Sequence, residues 1–172
     1  MLHPLPDSEW PAEIADMREG FAGKLNVYRV MAHHPALLRA WSDFRNHVVT
    51  QSALTPIQSE LVILRTGYRH RSRYEWAHHV ARGLAVGLSD QRINATARGA
   101  EGNEDGLLIA AVDALLDHGK LSPALLDRIT RKLGTPAVLD IISTVGMYTT
   151  LAFLIETFQV PIDRGIDPVP LP

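Results

Sequence analysis

Along the chain, apolar positions recur at three- and four-residue intervals, as in Ile57, Leu61 and Leu64 and again in Leu107, Ala111, Ala114 and Leu115. This is the period of an α-helix with one buried face. No stretch alternates apolar and polar residues with the period of two that a half-buried strand needs. Helix punctuation agrees. Thr55-Pro56, Ser122-Pro123 and Thr135-Pro136 each place a hydroxyl N-cap before a proline at the first helical position, where the missing N–H costs nothing. Gly87, Gly119 and Gly134 stand where helices turn left-handed and end. These marks predict helices over residues 11–32, 36–49, 56–70, 73–86, 90–99, 105–118, 123–133 and 136–158. The tail VPIDRGIDPVPLP, residues 160–172, holds four prolines and is predicted extended, either lying along a neighbouring subunit or frayed. The expected fold class is all-α, in one domain over 1–172 with its core at about 26–161.

Composition narrows the picture. At 172 residues and 46% hydrophobic, the chain can bury a core without covalent staples. Its net charge of -2 argues against a nucleic-acid partner or an anionic membrane surface. The longest charge-free apolar run, Ile141–Ile155, falls short of the ~20 residues that span a bilayer. The acid- and proline-bearing start does not read as a signal peptide, so a cytoplasmic location is expected. The chain has no cysteine, which removes disulfides, thiolate nucleophiles and Cys-type zinc sites.

Candidate chemistry concentrates in ELVILRTGYRHRSRYEWAHHVARGLAVG, residues 60–87. Glu75 and His79 lie four apart on a predicted helix, so they share a face. A carboxylate beside an imidazole sets its tautomer and raises its basicity. Glu60 sits on the preceding helix among Ile57, Ile63 and Leu64, where desolvation would raise a carboxyl pKa. Glu60, Glu75 and His79 are therefore the candidate catalytic groups. A structural reading stands beside this one, because Ser72 and Glu75 also form an S-x-x-E capping box.

Positive charge gathers nearby in Arg65, Arg69, Arg71, Arg73 and Arg82, which suits a carboxylate-bearing ligand. Tyr74 is placed to line a pocket, and Trp76 to pack. Glu60, Glu75 and His79 could form a facial metal triad. The pairs His33-His34 and His78-His79 diverge by about 100° on a helix, so neither invites a shared ion. No metal or cofactor is expected. A weak repeat aligns Thr55–Val62 with Thr135–Ile142 at an offset of 80, pairing Glu60 with Asp140.

NVYRVMAHHPALLRAW, TPIQSELVILRTGYR, SRYEWAHHVARGLAVGLSDQRI and LLIAAVDALLDHGKLSPALLDRITRKLG together resemble the carboxymuconolactone decarboxylase superfamily, which includes alkylhydroperoxidase D. The resemblance implies an all-α homo-oligomer, a trimer or hexamer. The peroxidase branch carries a glutamate, a C-x-x-C pair and a histidine four residues later. By that spacing the glutamate falls on Glu60, the cysteines on Ser72 and Glu75, and the histidine on His79. Both sulfurs are replaced, which argues against thiol peroxidase activity. The decarboxylase branch also lacks the cysteines and has the E-x-x-x-H element that Glu75 and His79 reproduce. The implied activity is a cofactor-free acid/base lyase on a small carboxylated lactone or related acid. His79 would move a proton, Glu60 would be its partner acid, and Arg71, Arg73, Tyr74 and Arg82 would bind the substrate. The alternatives are a non-catalytic oligomeric binding protein and a metal-dependent enzyme.

Overall fold

The computed structural model describes residues 2–99 and 104–172. Nine α-helices and no strand occur among them: α1 Phe21–Lys24, α2 Asn26–Met31, α3 Pro35–Asn46, α4 Pro56–Arg69, α5 Arg73–Ala85, α6 Asp90–Arg98, α7 Glu104–His118, α8 Pro123–Leu133 and α9 Thr135–Phe158. A π-turn over His47–Gln51 continues α3 toward α4.

Local signals start most of these helices. Thr55 closes a full capping box on α4: its hydroxyl accepts from Gln58 N, and the Gln58 side chain accepts from Thr55 N. Ser122 caps α8 through Leu125 N. Ser72 accepts from Glu75 N at a long 3.5 Å, while the Glu75 carboxylate points to His79, so the S-x-x-E motif forms only half a box. Thr135 does not cap α9. Gly134, at φ +86°, both ends α8 and begins α9, and Thr135 is already helical.

The predicted helix over 11–32 is broken into a 3-10 segment at Ala12–Met17 and the short α1 and α2. The break follows from close backbone contact. A Cβ on Gly23 would lie 1.8 Å from the Arg18 carbonyl oxygen, so the chain can fold back there only with glycine. Leu25 is extended at φ -119° and ψ 128°, which separates α1 from α2.

Two apolar clusters meet on α9. Its first half, with Val138, Ile141 and Val145, packs against α4 to α8, including Leu61, Leu64, Leu108 and Ile129. Its second half, with Met147, Leu151 and Ile155, packs against the N-terminal segments through Ile14, Val30 and Leu38. By length and composition α9 could cross a membrane, but 56% of its most apolar stretch is buried inside this fold.

The C-terminal tail neither frays nor projects outward. It is extended, and it folds back on its own chain. Val160 is buried in the first cluster, and Val169 and Leu171 pack on the second. Asp163 anchors it: one carboxylate oxygen accepts from Asn26 N at 2.8 Å, the other from the Tyr74 hydroxyl and from His78 Nε2 at 2.9 Å.

Candidate active site

α4 and α5 are antiparallel neighbours joined by a tight turn. Arg71 takes the left-handed conformation there (φ 55°), and Ser72 N reaches back to Gly67 O. Gly67 lets the helices approach closely, since a Cβ at that position would lie 3.0 Å from Glu75 Cβ. This packing brings His79 of α5 beside Glu60 of α4.

The three candidate catalytic groups meet. His79 Nδ1 lies 2.6 Å from Glu60 Oε2, and His79 Nε2 lies 3.4 Å from Glu75 Oε2. Both ring nitrogens face carboxylates, so both contacts are satisfied only by the imidazolium form. Burial pushes the imidazole toward neutrality. The charge and hydrogen bond of Glu60, followed by those of Glu75, outweigh that penalty and raise the His79 pKa above its ordinary value. No ring nitrogen is left free to act on a ligand.

His79 is only 2% exposed and Glu75 3%. Beside them lies a space of about 20 Å³, room for a single water. Glu60 instead opens onto a larger cleft of about 330 Å³, walled by Val48, Thr50 and Leu54 on one side and by Arg82 and Tyr148 on the other. Asp140 holds the Val48–Leu54 wall in place. It accepts from His47 Nε2 at 2.8 Å and from Ala53 N at 2.6 Å, contacts that keep its carboxyl below the usual range despite burial. Asp140 thus anchors the wall and does not face the cleft, unlike its proposed repeat partner Glu60.

The arginines separate. Arg65 makes a two-pronged pair with Asp113, with both contacts at 2.8 Å, and donates to the carbonyls of Thr96 and Ala97. Arg69 joins Asp113 and Asp117. Arg71 and Arg73 are exposed and line a different cleft, with Tyr68 and Leu171. Their positions flank the start of α5, which points them away from its buried His79 face. Arg82 alone lines the Glu60 cleft, and it has no carboxylate partner among the described residues. Tyr74 lines the small inner space, but its hydroxyl is committed to Asp163. Ser72 is fully buried and caps α5. No cluster of three or more metal-ligating side chains is found among the described residues.

Two residues at the site were not anticipated from sequence, Tyr148 and Asp163. Tyr148 stands edge-to-face on His79, with ring centroids 5.0 Å apart. Asp163 stacks its anchor behind Tyr74 and His78 from 85 or more residues away in sequence. No local spacing could have exposed either one.

Residues 35–117, which contain Glu60, Glu75, His79 and Arg82 but not Tyr148 or Asp163, match the family described as carboxymuconolactone decarboxylase family. Over that stretch the chain is similar to this family, and its fold is the all-α carboxymuconolactone decarboxylase/alkylhydroperoxidase D-like fold. Solved structures share the superfamily fold across nearly the whole chain. The debrominase Bmp8, as a variant in complex with 2,3,4-tribromopyrrole, aligns with a TM-score of 0.74 at 13% identity, covering 95% of this chain and 92% of that one. An uncharacterized peroxidase-related protein from Silicibacter sp. TM1040 aligns with a TM-score of 0.77, also at 13% identity, over 92% and 88%. At that identity the likeness extends to the fold alone. No curated protein matches the chain in sequence.

Proposed function

We propose that this protein is a cofactor-free acid/base lyase acting on a small carboxylated lactone or a related enolisable acid. The observation that carries the reading is the Glu75–His79–Glu60 relay, which opens through Glu60 onto a 330 Å³ cleft that also holds the unpaired Arg82. That volume suits a compact ligand. Because both His79 nitrogens are engaged, Glu60 is the group offered to substrate. His79 positions it and stores a proton for it, and the coupled pair acts as one acid.

In a decarboxylation, the bond from carbon to the leaving carboxylate breaks and carbon dioxide departs. The electron pair passes into the conjugated lactone carbonyl as an enolate. The Glu60–His79 pair delivers one proton to the enolate carbon and recovers it from water, so no oxidant or reductant is required. Arg82 would hold a carboxylate other than the one that leaves, because pairing the leaving group would stabilise the ground state. Thiol peroxidase chemistry does not enter this reading, since the sequence holds no sulfur nucleophile at either motif position. Self-association would use the exposed Leu139, Ile142 and Phe153 on α9.

A second reading, a non-catalytic binding protein, draws on the sealing of His79 behind a space of only 20 Å³. Carbon dioxide release from a panel of carboxylated butenolides, followed with product formation by proton NMR, decides between them. The lyase reading expects turnover that Glu60→Gln lowers by about 10²–10⁴-fold. Binding without turnover supports the second reading. Turnover unaffected by Glu60→Gln overturns the proposed mechanism.

A further inference from the structure

Tyr148 is 4% exposed, yet its hydroxyl makes no hydrogen bond to any described residue. Unlike the unpartnered indole nitrogens of Trp41 and Trp76, that hydroxyl is not closed off by packing. Tyr148 and Arg82 are the residues common to the inner space beside Glu75 and the outer cleft beside Glu60. The Tyr74 hydroxyl, by contrast, is committed to Asp163. The Tyr148 hydroxyl is not among the buried polar atoms that lack a partner, so it reaches the open space, where water or a ligand can accept from it. Burial, followed by the charge of Glu75, raises the Tyr148 phenol pKa well above its ordinary value, so the group stays a donor.

We propose that Tyr148 is a further catalytic residue, whose hydroxyl donates to the oxyanion that develops on the substrate carbonyl while Arg82 holds a substrate carboxylate. The assignment rests on the acid/base reading above. Tyr148 forms no covalent bond and keeps its proton. The electron pair released by bond cleavage rests on the carbonyl oxygen against the hydroxyl, then returns to carbon as the Glu60–His79 pair delivers a proton. A fixed donor aimed at a developing oxyanion in a dry site needs no reorganisation during reaction. The His79 contact holds the ring in place for this role.

The test uses Glu60→Gln, a neutral stand-in for the protonated carboxyl, and 4-hydroxy-3-nitrobenzoate, whose phenolate absorbance reports binding of the oxyanion form. A control probe, 3-nitrobenzoate, carries the carboxylate without the hydroxyl. The expected result is that adding Tyr148→Phe weakens phenolate binding about 10- to 100-fold and leaves the control probe unchanged. Adding Arg82→Gln should weaken both probes. Tyr148→Phe keeps the ring on His79 and removes no hydrogen bond, so its melting temperature should match that of the parent. Phenolate binding untouched by Tyr148→Phe but still sensitive to Arg82→Gln overturns the Tyr148 assignment alone. Equal weakening of both probes by Tyr148→Phe, with a lower melting temperature, makes the residue structural and also overturns the assignment. Failure of both probes to bind, or binding indifferent to Arg82, overturns the cleft reading and the Tyr148 role with it.

Discussion

Removing the Asp163 carboxylate should release the C-terminal tail and destabilise the domain by about 3–5 kcal/mol. The magnitude follows from what the carboxylate satisfies. It accepts from Asn26 N at 2.8 Å, from His78 Nε2 at 2.9 Å and from the Tyr74 hydroxyl. Tyr74 and His78 are 4% and 3% exposed, so Asp163→Ala strands two buried polar groups. Each orphaned group costs roughly 1–3 kcal/mol, and the lost N-terminal acceptor on α2 adds about 1 kcal/mol. These terms, about 3–7 kcal/mol together, overlap the range measured for breaking buried ion pairs. At roughly 2–4 °C per kcal/mol for a chain this long, the melting temperature should fall by roughly 6–20 °C.

Thermal and urea unfolding followed by circular dichroism would measure the effect, with Asp163→Asn intermediate because it keeps one carbonyl acceptor. Asp167→Ala, at an exposed tail position, is the control. The pH dependence has a definite sign. Burial opposes ionisation of Asp163, but His78, Tyr74 and the Asn26 amide outweigh it and lower the folded pKa below 3.8. The stabilisation is therefore present above the ordinary carboxylate pKa and is lost as pH falls through the lowered folded value. The gap between wild type and Asp163→Ala should be constant near neutrality and close in strong acid. An Asp163→Ala melt within about 2 °C of Asp167→Ala would refute the anchor, since that corresponds to under 1 kcal/mol.

Arg71→Gly should stabilise the domain by roughly 0.5–1 kcal/mol, because glycine holds the left-handed conformation without the Cβ penalty; a loss in urea unfolding would refute that account. Gly23→Ala should destabilise by about 3 kcal/mol or more, because the new Cβ meets the Arg18 carbonyl at 1.8 Å, and a wild-type melt would contradict the close approach. The His79 ring, followed by NMR, should titrate above the ordinary imidazole value, and Glu60→Gln should bring that value down. Because its folded pKa is raised, the stability His79 contributes is present below the ordinary imidazole pKa and is lost as pH rises through the folded value. A ring that titrates at or below 6.5 would refute the two-carboxylate clamp.

How much was legible depended on the range of each interaction. Thr55, Ser122 and Gly134 mark helix ends by local chemistry, and seven of the eight predicted segments correspond closely to observed helices. The eighth, over 11–32, was misread because the close pass of Gly23 over Arg18 is invisible to a periodicity that treats glycine as merely permissive. The Glu75–His79 contact was legible because four residues on a helix make one turn. Glu60 was nominated by the apolar residues around it and by the family's spacing.

The residue order alone therefore determined the all-α class, most helix boundaries, the absence of cysteine and the three acid/base candidates, because each follows from composition, from spacing within a turn or two of helix, or, for Glu60, from its apolar neighbours and the family's spacing. Tertiary packing decided which face of each helix met a cavity. It sent Arg71 and Arg73 to one cleft and Arg82 to another, brought Tyr148 of α9 onto His79 of α5, and folded Asp163 back onto α2 and α5. Those pairings close loops of tens of residues. Their partners are selected by how whole helices fit together, which no short window of sequence encodes.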